Sequence, residues 1–216
     1  MESLEPQEVL KFIGFVNNLK HSSRRGWSVL KIKNHESISS HMYGMAMMTF
    51  LLGENSKLDR LKCLQLSLVH DLAESIVGDI IPSDNIPEDK KHEMEDEAMK
   101  EITSTAGNAA GKLIYDLYKE YEAKETPEAK FVKDLDRFDM LYSATYYEKR
   151  DNKPEFLQEF FNSTEGKFNS PYIQKLVNIL NDERKELGKS VETEVKNGKK
   201  EDNETKSQSI EIKAKE

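Results

Sequence analysis

Hydrophobic spacing and proline placement together predict a chain built of helices. Apolar residues recur at helical intervals, as in the stripe formed by Leu61, Leu64, Leu68 and Leu72. Five of the six prolines stand where a helix could begin, and there the missing N–H of proline costs nothing because it would be unpaired in any case. The spacing predicts helices over residues 6–21, 37–53, 57–76, 87–105, 108–123, 127–150, 154–162 and 171–187.

The predicted fold class is therefore all-α, as a single compact multi-helix domain. No stretch alternates apolar and polar residues over a strand length between turn signals, so no sheet is expected. Thr126 and Ser170 stand directly before two of the prolines and are suited to cap the helices that follow. We assign this domain to residues 1–187.

Residues 188–216 differ in composition from the rest of the chain. This segment has no aromatic residue, and its few apolar residues are isolated among charges. Such a sequence cannot bury enough apolar surface to offset the entropy that is lost on ordering. We therefore predict a disordered, low-complexity charged tail over residues 188–216.

Overall charge and cysteine content limit the classes of function. With 40 acidic and 32 basic residues the net charge is −8, which argues against binding a nucleic-acid polymer through its phosphates. The single cysteine, Cys63, suits a reducing compartment. The first ten residues lack the pattern of a secretory signal, and the longest apolar-looking stretch, 42–52, is too short to span a membrane. We expect a cytoplasmic protein, with a nuclear location as an alternative, and no membrane partner.

Four possible metal ligands fall within ten residues. His70 and Asp71 end an apolar segment, Glu74 shares their helical face, and Asp79 follows the glycine that ends the predicted helix. Burying a carboxylate in such a place is costly unless a cation or hydrogen bonds compensate. The pattern indicates a metal site, and the alternative is a satisfied core histidine beside a solvated glutamate.

Further candidate ligands lie elsewhere in the chain. His41 begins an apolar helical segment that is entered from polar serines, and the alternative for it is a first-turn residue without a ligand role. Asp136 adjoins an apolar stripe that includes Leu135, so we expect it to point partly inward. Asp139 competes for the same role, and spacing alone leaves both carboxylates open.

The order of these residues resembles that of the HD-domain metal-dependent phosphohydrolases. His41, the His70–Asp71 doublet and Asp136 match the H…HD…D pattern of that family. The resemblance covers about residues 7–186. Longer blocks are similar to its 5′-deoxynucleotidase branch: residues 24–27 (RRGW), 36–43 (ESISSHMY), 68–80 (LVHDLAESIVGDI), 129–136 (AKFVKDLD) and 163–168 (STEGKF).

This resemblance implies an all-helical, usually dimeric enzyme that hydrolyses deoxyribonucleoside 5′-monophosphates to nucleoside and phosphate, with a metal-bound water attacking phosphorus. Glu74 and Asp79 match further active-site acids, which serve as catalytic acid or base or, with the backbone carbonyl of Ile80, hold a second metal. Mixed nitrogen and oxygen ligands suit Mn²⁺, Co²⁺, Fe²⁺ or Zn²⁺ better than Mg²⁺ alone. By the same resemblance, the main divalent metal has four ligands: His41, His70, Asp71 and Asp136.

The resemblance also implies how the substrate is held. Of the two neighbouring arginines, Arg24 has the family's spacing to Trp27, so Arg24 is favoured over Arg25 as the residue that binds the 5′-phosphate. Arg25 is then a solvated charge in a loop. Trp27 would pack against the deoxyribose and leave no space for a 2′-hydroxyl. Lys133 lies one helical turn before Asp136, so it either adds positive charge near the phosphate or is a surface lysine.

Two positions depart from the family pattern. Ser40 stands just before His41, where the family usually has Asp or Glu, and it can cap a helix but brings no charge. Gly44 replaces a bulkier, often basic residue one turn later. We expect somewhat altered metal affinity but retained activity, because every predicted ligand is present.

Two alternative functions are kept open. The first is another HD-type nucleotide phosphohydrolase, such as a nucleoside triphosphohydrolase or a cyclic-nucleotide phosphodiesterase. The block around Trp27 argues against it, because a pocket for monophosphates alone should be short and closed. The second is a non-catalytic HD scaffold that binds a nucleotide or a protein partner, and the intact ligand set argues against it.

Overall fold

The computed structural model describes residues 4–191 and confirms the all-α prediction. Within this range no strand forms, and a single antiparallel bridge joins Ser23 to Ser37. A 3₁₀ helix spans Pro82–Asp84, and a last helix, α10, runs over residues 171–191. The other helices are α1 (Pro6–His21), α2 (Arg25–Val29), α3 (Ile38–Thr49), α4 (Arg60–Val69), α5 (Glu74–Val77), α6 (Glu88–Ser104), α7 (Asn108–Ala123), α8 (Pro127–Arg150) and α9 (Gln158–Thr164).

The predicted caps form as expected. The Thr126 hydroxyl accepts a hydrogen bond from the backbone N–H of Ala129 at 3.2 Å, at the start of α8. The Ser170 hydroxyl accepts one from Ile173 at 3.4 Å, at the start of α10. Both bonds satisfy first-turn N–H groups that have no partner inside the helix.

Four predicted helices have clearly different bounds in the structure. The helix predicted over 37–53 ends at Thr49, and that over 171–187 continues to residue 191. The segment 57–76 is divided, because the backbone tightens after Val69 and the Leu72 N–H donates to the Val69 carbonyl, three residues back, at 3.0 Å. The helix predicted over 154–162 begins only at Gln158, since Glu155 has a φ of 61°, which a right-handed helix cannot contain. Hydrophobic spacing also gave no sign of the five-residue helix α2.

The chain divides into two compact units, Met1–Asp139 and Met140–Glu216. In the first, α3 packs on α1 and α4, α6 packs on α5 and α7, and α7 also packs on α4. None of the helices in the described range is long and apolar enough to cross a bilayer. The predicted domain boundary at residue 187 falls inside α10. Of the tail predicted over 188–216, residues 188–191 are helical and residues 192–216 lie outside the described residues.

The second unit is organised around a buried ion pair. Glu148 is 1% exposed and Arg184 is 4% exposed. The Arg184 Nε donates to Glu148 Oε2 at 2.7 Å, and its Nη2 donates to Oε1 at 2.9 Å. Glu148 Oε1 also accepts the backbone N–H of Leu157 at 2.8 Å, and the guanidinium lies 3.7 Å from the ring centroid of Phe161. All these contacts lie within residues 140–191.

A pH-dependent contact joins α6 and α7. Asp96 accepts hydrogen bonds from the Tyr115 hydroxyl at 2.8 Å and from Lys119 Nζ at 3.1 Å, and it pairs with Lys100 at 2.6 Å. These partners, Lys100 above all, lower the pKa of Asp96 to about 2. A folded-state pKa below the unfolded value stabilises the protein above about pH 4, and this stability is lost as the pH falls through the folded value.

Asp96→Asn is therefore expected to lower the melting temperature above pH 4, with the deficit shrinking as the pH falls towards 2. Melting curves of both proteins by circular dichroism from pH 6 to pH 2 measure this difference. A deficit that stays constant over the whole pH range would show that charge on Asp96 contributes nothing.

Candidate metal centre

The first unit brings four predicted ligands together at a buried point. His41 lies in the first turn of α3, which Ser37 caps, and His70 directly follows α4. The His70 Nε2 atom is 3.1 Å from Asp71 Oδ2. His41 Nε2 is 3.8 Å from the same oxygen and 3.2 Å from Asp136 Oδ1. Ligand atoms of His41, His70 and Asp71 all lie within 4.8 Å of one another, which is compatible with a shared ion.

Both histidines present a nitrogen that forms no hydrogen bond. Nε2 of His41 and Nε2 of His70 are buried and lack a hydrogen-bond partner, although carboxylates lie beside them. The other His70 nitrogen, Nδ1, donates to the Ser67 carbonyl at 3.0 Å. Buried polar atoms without partners are rare and require an explanation. Two imidazole nitrogens facing two carboxylates form a donor set that fits Mn²⁺, Co²⁺, Fe²⁺ or Zn²⁺.

The charges at this point also favour a cation. Burial and Arg24 lower the pKa of His41, but the carboxylates of Asp136 and Asp139 outweigh them and raise it to about 9. Burial has the opposite effect on Asp71 and raises its pKa, but the charges of His70 and Arg24 outweigh burial and hold that pKa well below its usual range. The carboxylates thus favour positive charge beside His41, and a metal ion bound at Nε2 would take the place of a proton on that atom.

Asp136 and Asp139 lie on opposite sides of the His41 ring. Asp136 faces Nε2, on the side of His70 and Asp71, while Asp139 Oδ2 accepts a hydrogen bond from Nδ1–H at 2.7 Å. Only Asp136 lies on the side where the other ligand atoms converge. The two carboxylates that spacing left open therefore differ in position, and Asp139 is a partner of His41 that sequence reasoning had not assigned.

The two further acids occupy different surroundings. Glu74 begins α5, is 6% exposed, and has a buried Oε2 atom without a hydrogen-bond partner. Burial, together with the charges of Asp71 and Asp79, raises the pKa of Glu74 well above its usual value. Asp79 Oδ2 instead accepts the backbone N–H of Arg25 at 2.7 Å, which holds the 78–81 loop, including Ile80, against the start of α2.

The two neighbouring arginines, Arg24 and Arg25, bind different carboxylates. Arg24 Nη1 donates to Asp71 Oδ2 at 3.2 Å, with 13% of its side chain exposed, so it lies at the candidate metal centre. Arg25 instead pairs with Asp84 through both terminal nitrogens. Trp27 is 1% exposed, and its indole N–H donates to Glu36 at 3.0 Å.

Lys133 contacts a candidate ligand. Its Nζ lies 2.7 Å from Asp136 Oδ2, which also accepts a hydrogen bond from the Tyr121 hydroxyl at 3.0 Å. The Tyr121 ring lies 5.1 Å from the His70 ring, centroid to centroid. Sequence reasoning missed Tyr121, because it lies on the apolar face of α7 and nothing in the sequence distinguishes it from the core residue Tyr118.

Sequence reasoning also missed a half-buried ion pair on α6, formed by Lys91 and Glu95, whose lysine interacts electrostatically with Glu74. Glu95 is 8% exposed, and its Oε1 lies 3.5 Å from Lys91 Nζ. Burial lowers the pKa of Lys91, but the charges of Glu95 and Glu74 raise it overall. The only available signal was a Lys-to-Glu spacing of four on a highly charged helix, which is typical of a solvated surface pair.

The chain is similar to known proteins over most of its length. A family model described as HD domain matches residues 16–177. The chain is 46% identical to 5′-deoxynucleotidase HDDC2 of Homo sapiens over 178 residues, which cover 82% of this chain and 87% of that protein. It is 47% identical to 5′-deoxynucleotidase HDDC2 of Danio rerio over 176 residues, which cover 82% and 88%. The crystal structure of PH0347 protein from Pyrococcus horikoshii superposes with a TM-score of 0.66 at 32% identity, covering 82% of this chain and 99% of that one.

Proposed function

Since the chain belongs to the HD-domain 5′-deoxynucleotidase family, we propose that it hydrolyses deoxyribonucleoside 5′-monophosphates to the deoxynucleoside and phosphate. The observation that carries this proposal is the buried convergence of two unpartnered histidine nitrogens with carboxylates. Four residues would hold a divalent metal: His41, His70, Asp71 and Asp136. Such an ion, when bound, lowers the pKa of water and offsets the charge of the phosphoryl group.

Two positive side chains are suited to bind the 5′-phosphate. Arg24 Nη1 lies beside Asp71, and Lys133 Nζ lies beside Asp136, so a phosphoryl group at this point meets a cation from each side. The guanidinium of Arg24 can donate two parallel hydrogen bonds to phosphate oxygens. Arg25 is committed to Asp84 and holds the loop instead.

Glu74 is our candidate for the general base. Its unpartnered, buried Oε2 is available to accept a proton from the attacking water. Burial and the neighbouring carboxylates raise the pKa of Glu74, which makes its carboxylate a stronger base than that of an ordinary glutamate. A bond then forms between the water oxygen and phosphorus, the bond to the 5′-oxygen breaks, and that oxygen takes up a proton. Asp79 is the candidate donor for that proton or a contact for the sugar. A second metal held by Glu74, Asp79 and the Ile80 carbonyl is the alternative use of these groups.

Trp27 is proposed to set the preference for deoxyribose. It lies three residues after Arg24 in the chain, and its indole is nearly fully buried and held by Glu36, so a deoxyribose packed against it would meet a side chain that cannot move aside for an additional hydroxyl group. The 2′-hydroxyl of a ribonucleotide would then clash sterically with the indole ring of Trp27.

The proposal is tested by phosphate release from a panel of nucleotides with the metal-free protein and added Mn²⁺, Co²⁺, Zn²⁺, Fe²⁺ or Mg²⁺. We expect metal-dependent release from dAMP and other deoxyribonucleoside monophosphates, much less from AMP, and none from dATP or cyclic AMP. Equal rates on dAMP and AMP would remove the role of Trp27. Hydrolysis of dATP or cyclic AMP alone would favour another HD phosphohydrolase, and no release with any metal would favour a non-catalytic scaffold.

We further propose that the enzyme is a cytoplasmic homodimer. An apolar stripe of Tyr43, Met47, Phe50 and Leu51 on α3 and the turn after it is 47% to 83% exposed, and a second copy of the chain could cover it. Light scattering after gel filtration should give twice the chain mass of 24.9 kDa, and Met47→Glu should halve that value. A wild-type protein of monomer mass would contradict the proposal.

A further inference from the structure

His41 lies between two carboxylates of the same helix. On one side of its ring Nε2 faces Asp136, and on the other side Nδ1–H donates to Asp139 Oδ2 at 2.7 Å. The two acids are three residues apart on α8 and therefore share one face of that helix. His41 is fully buried, so no water competes for its Nδ1–H.

Gly44 provides the space in which Asp139 sits. It lies three residues after His41 on α3, and a Cβ atom placed on it would be 3.0 Å from Asp139 Oδ1. Few real Cβ atoms come that close to an oxygen. A Cβ at this position would therefore require the Asp139 carboxylate, which holds the oxygen bonded to His41, to give way by a few tenths of an ångström.

Ser40 does not supply an alternative anchor. Its hydroxyl lies 2.9 Å from the Ser37 hydroxyl at the N-terminus of α3. A carboxylate that orients His41 must therefore come from another helix, and α8 provides it.

We propose that Asp139 is the positioning residue for His41 and that Gly44 creates the space for it. The inference rests on the metal centre of the proposed function. A carboxylate on Nδ1–H fixes which nitrogen carries the proton, so the lone pair of Nε2 faces the cluster, and it also raises the basicity of the ligand. Asp139 acts through His41 and does not itself hold the metal.

The test measures metal affinity independently of turnover. Calorimetric titration of Co²⁺ and Zn²⁺ into the metal-free full-length protein is compared for wild type, Asp139→Ala, Asp139→Asn, Gly44→Ala and the Gly44→Ala/Asp139→Ala double variant. Removing such a supporting carboxylate typically weakens metal binding by about 10–100-fold. We expect that loss for Asp139→Ala, and a smaller loss for Asp139→Asn, which keeps an acceptor oxygen but has no charge.

The effects of Gly44→Ala and Asp139→Ala on metal affinity should not be additive. Gly44→Ala is expected to weaken binding in the wild-type background but to have no further effect once Asp139 is alanine, since its only effect is on that carboxylate. Gly14→Ala is the matched control, because it also replaces a helical glycine but its Cβ would meet nothing within 4 Å. Melting temperatures of the metal-free proteins verify that each variant folds.

A spectroscopic signature completes the design. In the Zn²⁺-loaded protein, the Nδ1–H resonance of His41 should lie far downfield in ¹H–¹⁵N spectra and move upfield in Asp139→Ala. Unchanged affinity and an unchanged resonance in Asp139→Ala, or equal costs of Gly44→Ala in both backgrounds, would overturn the inference alone. A wild-type protein that binds no divalent metal would overturn the proposed metal centre together with it.

Discussion

Replacing Asp136 with alanine is expected to abolish both divalent-metal binding and phosphate release from dAMP. Asp136 Oδ1 is the α8 oxygen beside His41 Nε2, so its loss removes one ligand of four. The same change leaves the ammonium group of Lys133 without its carboxylate, which adds positive charge where a cation should bind. We expect affinity to fall by more than the roughly 100-fold that is typical of losing a supporting partner. Metal content after dialysis and phosphate release from the same preparations measure both effects.

Tyr121→Phe is the graded control for this experiment. It removes the hydroxyl that donates to Asp136 Oδ2 at 3.0 Å but leaves every proposed ligand in place, so only a partial loss is expected. If Asp136→Ala retained metal while Asp139→Ala lost it entirely, the assignment of the two carboxylates would be reversed.

Helix content was predictable because each signal is local. Prolines, capping residues and apolar spacing act within a few residues, and α1, α7 and α8 have the predicted bounds. The break between α4 and α5 was not predictable, because apolar spacing continues through it while the hydrogen bonds change from four residues to three. That break allows His70 and Asp71, which an ideal helix would turn about 100° apart, to meet within 3.1 Å.

In the candidate site, too, local sequence signals were predictable and contacts set by helix packing were not. The doublet His70–Asp71 is visible because ionisable residues in an apolar segment are costly and demand a reason. The choice between Asp136 and Asp139 was not visible, since both face the same helix side and only the packing of α3 against α8 decides which nitrogen of His41 each one meets. Tyr121 was invisible because its hydroxyl role depends on α7 lying beside α8.

Among the substitutions considered, Arg184→Met is expected to reduce stability most, lowering the free energy of unfolding by about 3–5 kcal/mol. Arg184 forms two hydrogen bonds to Glu148, and both side chains are almost completely buried. Methionine would fill much of the volume over Phe161 but leave the Glu148 carboxylate buried, with the Leu157 N–H as its one remaining donor among the described residues. An uncompensated buried charge is the main cost. Urea unfolding followed by circular dichroism measures it.

Lys185→Met is the matched control, because it removes a neighbouring positive charge whose pair with Asp182 is exposed, and we expect a change within about 0.5 kcal/mol. The Glu148→Leu/Arg184→Met double variant should be more stable than Arg184→Met, since replacing both partners leaves no buried charge. The single tryptophan, Trp27, belongs to the unit Met1–Asp139, so its fluorescence follows that unit while circular dichroism follows the helices of both. Equal stability of Arg184→Met and Lys185→Met would show that the buried pair contributes no more than a surface pair. In that case the burial of Arg184 would owe its energy to packing on Phe161, because methionine preserves that contact and not the charge.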